Sequence, residues 1–117
     1  MPKNGNGNHN IPIFTPARSI IIEEAIGEYL ASNTASGAFS KATARNRMYY
    51  LRRLSTWLQS KNVEYPHQIT KNHMVLYLKD ANVSKNTKRN LMSVLRSFYD
   101  WCITEDLILD SPLVTIN

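Results

Sequence analysis

Cysteine is almost missing from this 117-residue chain: Cys102 stands alone, which excludes an intramolecular disulfide and fits a reducing compartment. With Phe98 and Trp101 beside it, Cys102 reads as a core thiol. Long apolar runs are missing as well. The longest, Ile20-Ile21-Ile22 and Met74 to Leu78, fall far short of the ~20 residues that cross a bilayer, so the expectation is a soluble protein with no membrane partner. Glycine is sparse and forms no phosphate-cradling loop, and neither a nucleophile elbow nor a paired-carboxylate cluster is present. The histidines His9, His67 and His73 lack the i,i+4 spacing and the Cys or carboxylate partners of a metal site. The expectation is therefore no catalytic residue, no metal and no cofactor.

Acidic residues are scarce in one telling place. Fourteen Lys/Arg against nine Asp/Glu give a net charge of +5 and a pI near 9.5, a balance that suits a polyanionic partner. Residues 40–58 carry Lys41, Arg45, Arg47, Arg52 and Arg53 and no acid, while Glu23, Glu24 and Glu28 and the acids from Asp100 to Asp110 gather elsewhere. With 43% hydrophobic and 20% charged residues, the composition is that of a globular protein, and the length allows one domain. Residues 1–17, which open on a polar Gly/Asn-rich stretch with no signal-peptide core, read as a flexible N-terminal arm, and 18–117 as the domain.

Apolar periodicity and capping residues predict four helices and no strand. The first follows Ser19 as N-cap, turns Ile22, Ala25, Ile26, Tyr29 and Leu30 to one face and ends near Asn33. The second follows Ser40 and runs to about Ser60, with Met48, Tyr50, Leu51, Leu54, Trp57 and Leu58 on its apolar arc. Thr70 caps a third, ending near Asp80, with Ile69 and Met74 at the hydrophobic-staple positions. Ser84 caps a fourth, reaching about Thr104, with Leu91, Met92, Val94, Leu95, Phe98, Tyr99, Trp101 and Cys102 inward. Asn82-Val83-Ser84 matches a glycosylation sequon, but Ser84 is better explained as that cap. The class is all-α.

The second and fourth helices align at an offset of 44 residues, Ser40-Lys41-Ala42-Thr43-Ala44-Arg45-Asn46 over Ser84-Lys85-Asn86-Thr87-Lys88-Arg89-Asn90. Identities continue through Met48/Met92, Leu51/Leu95, Arg52/Arg96 and Trp57/Trp101, nine in the 19 positions 40–58 and 84–102. Either two Ser-capped amphipathic helices converged, or a helical hairpin was duplicated; Tyr29-Leu30 ahead of one copy and Tyr77-Leu78 ahead of the other favour duplication. At about 100° per residue, Lys41, Arg45 and Arg52 fall within a stripe of about 40°, and Lys85, Arg89 and Arg96 take the same angles. A solvated charged face is the ordinary reading of such stripes.

Two features argue for more. Helix N-termini favour acids, by about 0.3–1 kcal/mol each, yet both helices open with cations alone, which becomes favourable when phosphates dock on the first turn. Thr43, Asn46, Asn86, Thr87 and Asn90 accompany the cations and can bond phosphates or base edges. Double-stranded DNA is the expected partner, because single strands need exposed aromatic platforms and most aromatics here sit on core arcs. Tyr49 is the exception, beside the basic stripe, and it either contacts DNA or fills an interhelical edge. Arg47 falls on the apolar side and must snorkel outward or occupy a polar notch. The candidate DNA-binding residues are Lys41, Thr43, Arg45, Asn46, Arg47, Tyr49, Arg52, Lys85, Asn86, Thr87, Lys88, Arg89 and Arg96. A stand-alone helix-turn-helix regulator fits the loop lengths poorly; a protein-interaction bundle using an acidic face is the alternative from another class.

Ser40-Lys41-Ala42-Thr43 opening a helix that reaches Leu54-Ser55-Thr56-Trp57-Leu58 resembles the N-terminal core-binding, SAM-like domain of tyrosine recombinases, the phage-type integrases. Gln68-Ile69-Thr70 before Tyr77-Leu78, and Ser84-Lys85-Asn86-Thr87 before Leu95-Arg96-Ser97-Phe98-Tyr99-Asp100-Trp101, extend the resemblance over roughly residues 19–116. Arg47 departs from it, standing where the family often has Tyr, and Ser111-Pro112 replaces Asn-Pro. The resemblance implies a four- to five-helix SAM-like orthogonal bundle with two related hairpins, forming half of a C-shaped clamp whose second and fourth helices face the major groove. It also implies a C-terminal catalytic domain elsewhere in the parent chain, other recombinase protomers on the DNA, and a cytoplasmic, nucleoid-associated setting in a prokaryote, phage or mobile element. Cleavage would belong to the catalytic domain, since neither His67 nor His73 begins a His-x-x-Arg.

Overall fold

A computed structural model describes residues 13–113, and among them the chain is all helix and connecting loop. Four α-helices follow in order: α1 Ile22–Ala35, α2 Lys41–Ser60, α3 Lys71–Ala81 and α4 Lys85–Thr104, with a short 3-10 turn, Pro66–Gln68, before α3. The expected arm, 1–17, falls largely outside the described residues. Its last residue is anchored: the Ala17 amide donates to the Asp106 carbonyl at 2.9 Å.

Three of the four helix starts are set by hydroxyl caps. Ser40 Oγ accepts from the Thr43 amide at 3.1 Å, Thr70 Oγ1 from the His73 amide at 3.1 Å, and Ser84 Oγ from the Thr87 amide at 3.2 Å. At α3 the reciprocal bond comes from His73, whose Nδ1 accepts from the Thr70 amide at 3.0 Å and so leaves the ring proton on Nε2. Ile69 and Met74 are both buried, as a staple requires.

Helix α1 starts differently from the sequence expectation. Ser19 is exposed and lies three residues before the first helical turn, and Ile21 is the capping residue. The Glu24 carboxylate accepts from the Ile21 amide at 3.3 Å, while Ile20 and Ile22 are buried on either side. Burial of those two isoleucines fixes the entry of the chain, and the acid satisfies the Ile21 amide. At the other end Gly37 takes φ 84°, a left-handed conformation that lets the chain turn toward α2.

The ends of α2 and α4 are copies of one another. Asn62 and Asp106, 44 residues apart, are both left-handed, at φ 62° and 57°. The Val63 amide reaches back to the Leu58 carbonyl at 3.0 Å and the Leu107 amide to the Cys102 carbonyl at 2.9 Å, and all four side chains are buried. Each is a Schellman closure with its apolar contact. The repeat read from nine identities thus extends beyond both helices, through residues that do not match in letter.

Leu51, Leu54 and Leu58 of α2 meet Leu95, Phe98, Tyr99 and Cys102 of α4 and Met74 of α3 in the core, all 0% exposed. Tyr29 from α1 joins them and packs edge-on to Phe98 at 5.5 Å. Burial pushes the Cys102 thiol up to about 12, so it stays protonated at neutral pH, and raises the Tyr99 hydroxyl well above its ordinary value. Tyr99 Oη donates to Met74 Sδ at 3.1 Å. Met48, expected inward, is 39% exposed. Seven residues after Lys41, it shares the angle of the cations, and Arg52 Nη2 lies 3.6 Å from its sulfur. Trp57 and Trp101 are half-buried at the margin of the core.

Candidate nucleic-acid interface

The cap residues do more than start α2 and α4. In both, the serine hydroxyl also donates to the threonine three residues on, Ser40 to Thr43 Oγ1 at 3.1 Å and Ser84 to Thr87 Oγ1 at 3.0 Å. Thr43 and Thr87 are accordingly half-buried and oriented the same way, while Lys41, Arg45, Asn46 and Arg52 on α2 are exposed. On α4, Lys85, Asn86, Lys88, Arg89 and Arg96 are exposed too. No acid occupies either first turn, whereas α1 carries Glu23 and Glu24 there.

Charge pairing is confined to one cluster. Among the described residues the ion pairs are those of Arg18, which grips Glu28 at 2.9 and 2.7 Å and reaches Glu105 at 3.3 Å. The Arg18 guanidinium holds the Glu28 carboxyl below the usual carboxylate range. None of the cations on α2 or α4 has a carboxylate partner among these residues. Lys61, Lys71 and Lys79 are unpaired among them too, and α3 also opens without an acid; what sets α2 and α4 apart is density, nine Lys and Arg against the single acid Asp100, which creates a field favourable to an anion.

The two helices come together over a groove of about 320 Å³ lined by Ala42, Thr43, Asn46 and Arg47 from α2 and Asn90, Ser93 and Val94 from α4. Arg47 occupies a polar notch in it. Its Nη1 donates to Tyr29 Oη at 3.1 Å, the same hydroxyl shares a 2.6 Å hydrogen bond with Ser97 Oγ, and the guanidinium carbon lies 4.7 Å from the centre of the Phe39 ring. Arg47 thus ties α2 to α1 and to the loop before α2, and the Tyr29 hydroxyl carries the link on to α4. Of the sequence-derived candidates, the groove gathers Thr43, Asn46 and Arg47. Arg45, Tyr49 and Arg52 line a shallow depression on the outer side of α2, with Met48, Arg53 and Thr56. Tyr49 is 58% exposed, with the Arg53 guanidinium carbon 5.6 Å from its ring centre.

Ser93 and Arg53 were not among the candidates. Ser93 stands at the position of Tyr49 in the other copy, so the repeat itself was the signal for it; Arg53 lies about 100° round α2 from Arg52. Among the described residues no three His, Cys, Asp or Glu side chains gather as metal ligands. No helix among them is long and apolar enough to cross a membrane.

The fold and this face define a class: an all-α bundle that presents two related helix starts and an unpaired cationic surface. The chain belongs to the family of phage integrase N-terminal SAM-like domains, whose profile matches residues 28–109. That match spans α2, α3, α4 and most of α1. No curated protein and no solved structure matches the chain.

Proposed function

We propose that this chain is the DNA-gripping module of a site-specific tyrosine recombinase and that it holds duplex recombination-site DNA through the N-terminal halves of α2 and α4. The carrying observation is the repeated register of exposed, unpaired cations, Lys41, Arg45 and Arg52 on α2 and Lys85, Arg89 and Arg96 on α4, behind two identically capped helix starts without first-turn acids. Phosphates meeting those turns receive backbone amides, hydroxyls and cations together. Asn46, Asn86, Thr43 and Thr87 supply donors and acceptors for phosphate oxygens or base edges, Tyr49 packs along the sugar-phosphate backbone, and Lys88 adds charge.

On this reading Arg47 contributes mainly by holding the two helices in register and adds positive potential at the groove floor. Cleavage and rejoining fall to a catalytic domain of the parent chain, other protomers share the site, and the setting is the DNA-containing cytoplasm. Titration of a labelled duplex tests the assignment. Arg45→Ala/Arg89→Ala is expected to weaken binding at least tenfold at low salt, whereas Arg18→Ala, which removes the paired cation, leaves affinity within about twofold. Equal binding by the double variant and the unmodified chain sinks the assignment.

A further inference from the structure

Between α2, α3 and the start of α4 lies a second groove, of about 830 Å³, within the ~300–1,000 Å³ range of small-ligand clefts. Its walls are aromatic: Tyr49, Tyr50 and Trp57 from α2 and Tyr77 from α3, joined by Arg53 and Asp80. Trp57 meets Tyr77 edge-on at 5.2 Å, and Tyr49 meets Tyr50 at 5.4 Å, so the rings form two pairs. Cations border both pairs, with Arg53 beside Tyr49 and Lys61 Nζ 5.3 Å from the Trp57 ring centre. Asp80 is exposed and has no ion-pair partner among the described residues. Thr87, from the first turn of α4, lies at the groove's edge and connects it to the cationic face.

We propose that this groove binds an unstacked nucleobase. Exposed Tyr49 and half-buried Tyr50 and Trp57 give a base aromatic surface to stack on, Arg53 and Lys61, which lie over the Tyr49 and Trp57 rings, can turn to flanking phosphates, and Asp80 is an acceptor for an exocyclic amine. A partner's apolar helix would ask for a continuous aliphatic strip, but aliphatic side chains line only the end formed by Ala81, Val83 and Leu91. The inference rests on the reading that the partner is DNA, and it adds a site for bases outside the helical stack. Such a base comes either from a free single strand or from a distorted duplex.

Trp57 is the reporter. Trp101 packs on Tyr29 and Phe98, does not line the groove, and is silenced by Trp101→Phe, which leaves one tryptophan. In that background, a twelve-residue oligo-dT, a duplex with one central unpaired base and a fully paired duplex are titrated while Trp57 emission and affinity are followed. Quenching by oligo-dT alone assigns the groove to free single strands, and quenching by the bulged duplex as well assigns it to extruded bases. Tyr50→Leu should lower the affinity for whichever ligand quenches about tenfold and leave paired-duplex affinity within twofold. The proposal is overturned if Trp57 responds to none of the three or equally to all. Self-association that shields Trp57 overturns it too, by giving the groove to a second copy. Should paired duplex bind with the expected loss in Arg45→Ala/Arg89→Ala while Trp57 stays silent, only this site is lost; if no DNA binds at all, both readings fall.

Discussion

Helices α2 and α4 begin alike and end alike, and they differ in the turn between. Ser-x-x-Thr caps open both, and a left-handed residue followed by a buried apolar one closes both. In the middle, α4 places Leu91 and Met92 in the core, at 3% and 7% exposure, where α2 places Arg47 over Phe39 and leaves Met48 39% exposed. Helix α4 buries seven side chains and α2 four: α2 packs against all three other helices yet keeps its outer face exposed, whereas α4 commits more of its circumference to the core. What the copies keep are the ends and the register of cations; what they give up is equivalence of burial. Constraint on the cation register is what a shared anionic partner would impose, since packing alone does not need it.

The methionine pair is the sharpest way to break that comparison. Met92→Ala is expected to cost about 2–5 kcal/mol in urea unfolding and Met48→Ala no more than about 0.5. Similar losses at both positions would mean that the two helices are buried alike. Next in size is Tyr29→Phe, which removes the hydroxyl that Arg47 and Ser97 share and should destabilise the fold by about 1–3 kcal/mol. A neutral result would show that the notch does not tie the helices together.

A last effect, absent at neutral pH and seen only in alkali, concerns the pair Leu58/Cys102, where only the α4 copy can ionise. The folded thiol titrates at about 12 against an ordinary 9.0, so burial favours the protonated form. Its contribution is fully present below pH 9 and is lost as pH rises from about 9 towards 12, at no more than about 1.4 kcal/mol per pH unit. Cys102→Ala should flatten that part of the stability curve, although buried Tyr99 keeps a loss of the same sign. An unchanged slope would place the thiol in water.

Much of this was legible in the sequence because it is local. Ser40, Thr70 and Ser84 specify their helices through bonds to amides three residues away, and the limits of α2 and α4 follow. Ser19 misled because the real start depends on burying Ile20 and Ile22 against the rest of the fold and on Glu24 reaching back to Ile21. Met48 was assigned inward by residue type although its angle matches Lys41 and Arg52, which is where it lies. The matching Schellman ends were invisible, because Asn62/Asp106 and Val63/Leu107 share conformation and burial but no letters. Arg47 was recognised as misplaced on an apolar face; its partners Tyr29, Phe39 and Ser97 come from three other parts of the chain. The aromatic groove needed α3 laid beside α2, a tertiary fact that periodicity does not carry.

The central claim is that the unpaired cations of α2 and α4 meet phosphates, and the salt dependence of duplex binding tests it most directly. With about four to six phosphates neutralised, log Kobs should fall against log salt with a slope between about −3.5 and −5.5, and Arg45→Ala/Arg89→Ala should make it shallower by about 1.8. A slope near zero, or one the double variant leaves unchanged, would contradict the account.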